Sequence, residues 1–129
     1  MKILVTGSSG FIGKKLVNYL LDKNMSVRIM SRRLERLEEF EHKNLEKVKA
    51  DAQKYEEVRD ALKGIDVAYY LIHSMDGKSK NWKKFAEIDK KVAKNFADAS
   101  TECGVKRIIY LGGLASIPDS EMSKHMSSR

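Results

Sequence analysis

The 129-residue sequence has one cysteine, one proline and no long uninterrupted apolar segment. A single cysteine, Cys103, cannot form a disulfide within the chain, which argues against a disulfide-stabilised secreted domain. No apolar run approaches the roughly 20 residues that a membrane-spanning helix needs. The chain also enters a predicted strand at its first residues, without the pattern of a secretory signal. We therefore expect one cytoplasmic domain with no membrane span.

The sequence is basic overall, but it has few stretches in which all the charges are of one sign. It contains 25 Lys and Arg against 18 Asp and Glu, a formal net charge of +7. Acidic residues lie between most of the lysines, which is typical of a mixed, solvated surface and not of a nucleic-acid interface. We expect no nucleic-acid partner, although the positive field would attract a phosphorylated cofactor.

The glycine-rich stretch from Lys2 to Gly13, KILVTGSSGFIG, is the most informative part of the chain. It reads as a buried strand, a tight turn and a helix N-terminus, an order that suits the pyrophosphate of a dinucleotide. Gly7 can form the turn, Gly10 lets the backbone approach the phosphates, and the helix offers free N–H groups to the anion. The spacing is G-x-x-G-x-x-G and not the commoner G-x-G-x-x-G, so a purely structural turn is the alternative. The predicted cofactor contacts in this stretch are Gly7, Ser9, Gly10, Phe11, Ile12 and Gly13.

The end of the second predicted strand (26–30) carries a second signal. Ser31, Arg32 and Arg33 lie about 20 positions beyond the glycines, where an acid would bind the ribose of NAD and an arginine would accommodate the 2′-phosphate of NADP. No acid occupies the strand end. This pattern favours NADP(H), with NAD as a possible cofactor. The alternative is that both arginines open the next helix and are merely solvated.

Two further strand ends supply candidate contacts. Asp51, followed by Ala52, can accept a hydrogen bond from the adenine amino group or cap the next helix. Leu71, Ile72 and His73 follow the fourth strand and are expected beside the nicotinamide. His73 either shapes this pocket or takes part in catalysis.

Alternating apolar patterns predict an α/β fold of three layers. Helices are expected at 11–22, 34–42, 55–63 and 82–103, with further strands at 47–50, 66–72 and 107–111. Phe11, Ile12 and Leu34 are expected to face the core. This order predicts a doubly wound parallel sheet with strand order 3-2-1-4-5 and a crevice between strands 1 and 4.

The chain resembles the N-terminal half of extended and atypical short-chain dehydrogenases/reductases, including epimerase-like NAD(P)-binding proteins. The resemblance is carried by TGSSGFIG, the arginines after the second strand, Asp51-Ala52 and KNFADASTECGVKRIIYLGG, in which Asn95 matches the family's helix asparagine. It implies a Rossmann domain at 1–116 that binds a nicotinamide dinucleotide, followed by a polar tail at 117–129.

The catalytic pattern of that family is missing where it belongs. Gly112 and Gly113 stand in the place of the family's serine, and no tyrosine follows Tyr110 to form a Tyr-x-x-x-Lys pair. The catalytic residues are therefore unknown. Two hypotheses remain: an enzyme acting on an unknown small molecule, with His73, His125 or Ser116 as proton donor, or a non-catalytic NADP(H)-binding redox sensor or assembly module. A bare edge on the fifth strand predicts a homodimer, or an edge covered by the tail.

Overall fold

The computed structural model describes residues 1–72 and 82–111. His73 and the polar tail at 117–129 lie outside these ranges. The elements are β1 (Lys2–Val5), α1 (Phe11–Asp22), β2 (Ser26–Ser31), a single 3-10 turn (Leu34–Leu37), β3 (Leu45–Lys49), α2 (Tyr55–Leu62), β4 (Val67–Tyr70), α3 (Trp82–Glu102) and β5 (Arg107–Tyr110).

The five strands form one parallel sheet with the order β3-β2-β1-β4-β5. In its centre, Val5 of β1 pairs with Ile29 of β2 on one side and with Tyr69 of β4 on the other. After β1 the chain adds β2 and β3 on one side of β1. It then returns through α2 and adds β4 and β5 on the other side. The predicted fold class and strand order are therefore confirmed, and the crevice at the reversal point lies beside β1.

The two faces of the sheet bury separate apolar clusters, because successive side chains of a strand point to opposite sides. Ile3 and Val5 pack with α1 and with Leu37 and Phe40 on one face. Leu4 packs on the other face, which α2 and α3 cover. The core is thus divided into two layers, one on each face of the sheet.

The first turn of α1 differs from the expectation. Phe11 is 77% exposed and Ile12 is 51% exposed, so neither faces the core. The turn lies beyond the end of β1, where no strand is available to cover it. The rest of the helix behaves as predicted, with Val17, Leu20 and Leu21 buried. The helix ends in a Schellman motif, in which Asn24 adopts the left-handed conformation at φ 60°.

The helix predicted at 34–42 is wrong. Only one 3-10 turn forms, at Leu34–Leu37, and Leu34 is 44% exposed while Leu37 and Phe40 are buried. The apolar residues recur every third position, which is the period of a 3-10 helix and not of an α-helix. His42 is exposed, and its Nδ1 accepts a hydrogen bond from the N–H of Asn44.

The two edges of the sheet differ in character. On β3, Lys47 and Lys49 are exposed, as is common on edges that avoid pairing. On β5, Ile108 and Tyr110 are exposed instead. Within the described ranges, no helix is long and apolar enough to cross a membrane.

Candidate dinucleotide-binding site

A cleft of about 510 Å³ opens where the carboxyl ends of β1 to β4 meet. This volume lies within the range of small-molecule sites. The cleft brings together nine residues predicted from the sequence: Gly7, Ser9, Gly10, Ser31, Arg32, Asp51, Ala52, Leu71 and Ile72. Four others, Phe11, Ile12, Gly13 and Arg33, do not line it, and His73 lies outside the described residues.

Gly7 forms the turn at the floor of the cleft. Its φ of +66° is in the left-handed region, as predicted. A Cβ at this position would lie 2.9 Å from the carbonyl oxygen of Leu71, just beyond β4. Glycine therefore provides both the backbone conformation and the close approach of the turn to β4.

Gly13 and Gly10 have different surroundings. A Cβ on Gly13 would lie 2.1 Å from the Gly7 carbonyl oxygen and 2.9 Å from Ser8 Cα, so α1 begins directly against the turn. A Cβ on Gly10 would meet only the Gly7 oxygen, at 3.4 Å. Gly10 therefore leaves open space, which suits a backbone that a ligand approaches.

The N-terminus of α1 has unused hydrogen-bond donors. Gly10 is the N-cap and has no side-chain cap, and the first turn holds no acidic residue. The Gly10 N–H donates to the Gly7 oxygen and the Lys14 N–H to the Gly10 oxygen. Between them, the N–H groups of residues 11–13 meet no acceptor in the described part of the chain. Free donors at the positive end of a helix dipole form an anion site.

Thr6 is a positioning residue that the sequence reasoning missed. It is fully buried, and its Oγ1 donates to the Tyr69 carbonyl oxygen at 2.9 Å and accepts from the Leu71 N–H at 3.0 Å. It thus joins the ends of β1 and β4 beneath the cleft. Its place directly before Gly7 was the available signal.

Ser8 is a second missed residue of the cleft wall. It is 1% exposed, and its Oγ has no hydrogen-bond partner among the described residues. Buried hydroxyl groups without a partner are rare in native proteins. Nothing in the sequence TGSSG indicates that its first serine, Ser8, is buried without a hydrogen-bond partner among the described residues.

Arginines lie at the end of the cleft beside β2. Arg32 and Arg36 line it, whereas Arg33 is the N-cap of the 3-10 turn and its N–H donates to Ser31 Oγ at 3.2 Å. None of the three has an acidic partner among the described residues. Arg36 was missed because the predicted α-helix is replaced by the 3-10 turn.

Asp51 shapes the turn after β3. Its Oδ1 accepts from the Gln53 N–H at 2.9 Å, and its own N–H donates to Glu57 Oε1 at 3.0 Å. The N-cap of α2 is Lys54, so Asp51 does not cap that helix. The predicted contact of Asp51 with adenine stays a prediction. Asn95 of α3 donates from Nδ2 to the Ala52 oxygen at 3.2 Å and so fixes this turn against α3.

The Tyr-x-x-x-Lys spacing occurs once in the sequence, at Tyr19 and Lys23, and not after β5. This pair lies at the C-terminal end of α1, at the opposite end of the sheet from the cleft. Lys23 Nζ is 5.6 Å from the centre of the exposed Tyr19 ring. The pair is therefore placed away from any ligand in the cleft.

A smaller hollow of about 360 Å³ lies at the same end of the sheet, opposite the cleft and between the C-terminal ends of α2 and α3. It includes Cys103, whose Sγ is 3.3 Å from the Arg59 carbonyl oxygen. Burial raises the pKa of this thiol, which is typical of a packed cysteine and not of a nucleophile. Within the described ranges, no three His, Cys, Asp or Glu side chains are grouped to hold a metal ion.

The cleft fits a dinucleotide. Free helix N–H groups and the open space at Gly10 suit a pyrophosphate, and arginines without an acidic partner among the described residues suit a further phosphate. The carboxyl ends of parallel strands at a reversal of strand order are where such ligands bind.

Comparisons with known proteins agree with this geometry. A family model described as NAD(P)H-binding matches residues 7–127. A 3-beta-hydroxysteroid dehydrogenase from Mycolicibacterium neoaurum is 31% identical over 115 residues, which cover 84% of this chain and 31% of that protein.

Two solved structures share the fold. Pen from Bacillus thuringiensis has a TM-score of 0.84 at 22% identity, covering 98% of this chain and 41% of that one. A short-chain dehydrogenase/reductase superfamily protein from Agrobacterium tumefaciens, with bound NAD, has a TM-score of 0.77 at 20% identity, covering 99% of this chain and 42% of that one. The chain spans about a third of the length of the curated relatives it matches. By the family match, this chain belongs to the NAD(P)H-binding family, and its domain is a Rossmann fold.

Proposed function

We propose that this chain is the cofactor-binding domain of an atypical short-chain dehydrogenase/reductase or epimerase-like protein, and that it prefers NADP(H) to NAD(H). The observation that carries the preference is the pair of arginines, Arg32 and Arg36, on the wall of the cleft that holds the glycine turn. No acidic residue stands at the end of β2 to bind a ribose 2′-hydroxyl and repel a 2′-phosphate. Arginine matches phosphate geometry with two parallel hydrogen bonds.

In the proposed complex, each part of the cofactor contacts a different part of the cleft. The pyrophosphate lies against the free N–H groups of α1, over Gly10. The adenosine lies between the arginines and the turn of Asp51 and Ala52, and the nicotinamide lies beside Leu71 and Ile72. His73, which follows them in the sequence, stays a predicted contact. When bound, the nicotinamide supplies or accepts hydride. The protein groups named here bind and orient it.

Titration of the full chain with NADPH and NADH tests the preference. Hydrogen bonds to charged groups contribute about 1.5–3 kcal/mol each, so we expect NADPH to bind roughly 10- to 100-fold more tightly. The double variant Arg32→Ala/Arg36→Ala should lose the preference, and Arg32→Ala/Arg33→Ala should reduce it through Arg32. Arg59→Ala, at the opposite end of the sheet, is the matched control and should bind NADPH and NADH with wild-type affinities. Equal affinity of the wild-type chain for both cofactors would refute the arginine argument.

Catalytic activity is a separate proposal, because the chain spans only a third of its dehydrogenase and reductase relatives. Oxidation of NADPH by a panel of carbonyl compounds, lost in His73→Ala, would support an NADP(H)-dependent reductase. Gly112 and Gly113, in the place of the family's serine, favour the second candidate, a non-catalytic NADP(H)-binding sensor or assembly module. Tight NADPH binding with no oxidation by any acceptor would favour that module.

We also propose a cytoplasmic homodimer without a nucleic-acid partner. The exposed apolar side chains of Ile108 and Tyr110 on the outer strand β5 support association, because exposed apolar surface is typical of interaction sites. Light scattering at several concentrations tests this. A clean monomer throughout would contradict the dimer.

A further inference from the structure

The outer face of α1 carries large apolar side chains that the fold leaves in water. Phe11 is 77% exposed, Ile12 is 51% exposed and Tyr19 is 59% exposed. Tyr19 follows Ile12 by seven positions and Phe11 by eight, which places all three on one side of the helix. The opposite side, with Val17 and Leu20, is buried against the sheet. The three exposed side chains add nothing to the core, and grouped apolar surface of this kind is typical of interaction sites.

Two lysines complete this face of the helix. The Nζ of Lys15 lies 4.3 Å from the centre of the Phe11 ring, and the Nζ of Lys23 lies 5.6 Å from the centre of the Tyr19 ring. Aromatic rings and ammonium groups therefore alternate at a spacing of four residues. Neither lysine has an acidic partner among the described residues. We call Phe11, Ile12, Lys15, Tyr19 and Lys23 the α1 stripe.

The charge around the α1 stripe is mainly positive. Lys14 is also exposed, although it pairs with Glu39 at 2.7 Å, and Asp22 is the one acidic residue of α1. The whole chain has a formal net charge of +7. The occupant of the stripe must therefore offer negative charge together with apolar contact. A second copy suits it poorly, because it would bring Lys15 and Lys23 of both chains together.

An anionic lipid surface meets both requirements. Aromatic side chains collect at the headgroup level of bilayers, where the ring is partly buried and its polar end stays in water. Lysine keeps its ammonium group at the lipid phosphates while its methylene stem covers apolar surface. The stripe runs along the outside of a 12-residue helix, a length of about 18 Å, so a flat surface can contact it from end to end.

We propose that the α1 stripe is a docking surface through which this domain binds peripherally to membranes that contain anionic lipid. Phe11, Ile12 and Tyr19 enter the headgroup region, and Lys15 and Lys23 bind lipid phosphates. This inference goes beyond the proposed function, because none of the five side chains lines the cleft.

Sedimentation of the full chain with lipid vesicles tests the surface. We expect binding to vesicles of phosphatidylcholine with phosphatidylserine, and none to vesicles of phosphatidylcholine alone. Lys15→Gln/Lys23→Gln should bind the anionic vesicles roughly 30-fold more weakly, the effect of two lysines at about 1 kcal/mol each. The matched control is Lys90→Gln/Lys91→Gln, which removes the same charge from α3, on the other face of the sheet. The control should bind within about twofold of wild type, because charges farther than about 10 Å from the lipid are screened.

A third variant tests the apolar part of the surface. Tyr19→Ser keeps every charge and removes an exposed ring, so the chain should fold as wild type does. We expect it to bind the anionic vesicles about tenfold more weakly, the effect of losing the partial burial of an aromatic side chain. Circular dichroism of the three variants checks that their folds are unchanged.

Other results would overturn the inference. Equal binding to both kinds of vesicle would refute the role of negative charge, and an equal loss in the α3 control would refute the role of α1. Wild-type affinity of Tyr19→Ser would refute an apolar contact with the bilayer. No binding to either vesicle would also refute the inference. Light scattering of wild type against Tyr19→Ser would then show whether a second copy covers the stripe, and titration with polyglutamate whether an acidic protein does. Titration with NADPH measures the proposed function separately in every case.

Discussion

We expect Gly13→Ala to destabilise the fold. Gly7 has a positive φ, so the fair comparison is with Gly10, and we expect the loss of stability to be smaller for Gly10→Ala than for Gly13→Ala. The added Cβ would lie 2.1 Å from the carbonyl oxygen of Gly7 and 2.9 Å from the Ser8 Cα. Both neighbours are backbone atoms, so no side-chain rotation can relieve the contact. The start of α1 would have to move away from the turn.

The size of that movement follows from the geometry. An ordinary contact begins near 3.4 Å, so the helix start must move by about 1.3 Å, the difference between 3.4 and 2.1 Å. Overpacking of this kind costs about 1–3 kcal/mol, and a clash between backbone atoms belongs at the upper end. For a domain of this size, about 3 kcal/mol lowers the thermal midpoint by roughly 12 °C.

Thermal unfolding followed by circular dichroism measures this effect, and Gly10→Ala is its matched control. Gly10 has φ −78° and ψ 171°, which alanine adopts easily, and its Cβ would make only an ordinary contact at 3.4 Å. Gly10→Ala should therefore melt within a few degrees of wild type but bind NADPH more weakly, because the Cβ enters the space assigned to the pyrophosphate. A Gly13→Ala chain that melts like wild type would refute the steric argument, as would a Gly10→Ala chain that is destabilised as much.

Two further predictions concern ionisable groups away from the cleft. A hydrogen bond from Lys2, helped by Arg28, lowers the pKa of Glu46 from its ordinary 4.5, so its contribution to stability is full above that value and lost as the pH falls through the lowered pKa. Urea unfolding at pH 7 and pH 3 should show a smaller acid-induced loss of stability in Glu46→Gln than in wild type, and an equal loss in both would contradict the ion pair. Because burial raises the pKa of Cys103, iodoacetamide at pH 8 should alkylate the folded chain about tenfold more slowly than the urea-unfolded chain. Equal rates in the two states would show that the thiol is neither buried nor shifted.

Much of the fold follows from patterns that are local along the chain. The limits of α1 at Phe11 and Asp22 match the prediction, since the apolar period starts after the glycines and ends before Asn24. The strand order follows from the alternation of strands and helices and the rules for parallel crossovers. The helix predicted after Arg33 is wrong, because an apolar residue at every third position suits both a short amphipathic α-helix and a 3-10 turn.

The candidate site divides in the same way. The positions of Gly7, Gly10, Arg32 and Asp51 on the cleft could be predicted, because strand ends and glycine spacing locate them. The place of Arg36 could not, since it depends on a 3-10 turn that forms only when Leu37 packs on the sheet.

Local sequence alone therefore determined the turn after β1, the helix that follows it and the succession of strands, because backbone preferences and apolar periodicity act over a few residues. Tertiary structure alone decided which groups are left without partners. Phe11 is exposed because α1 begins beyond the sheet, and the Ser8 hydroxyl is unpaired because α1 and the turn enclose it. Burial and hydrogen bonding depend on residues distant in the chain, and no pattern within a short segment records them.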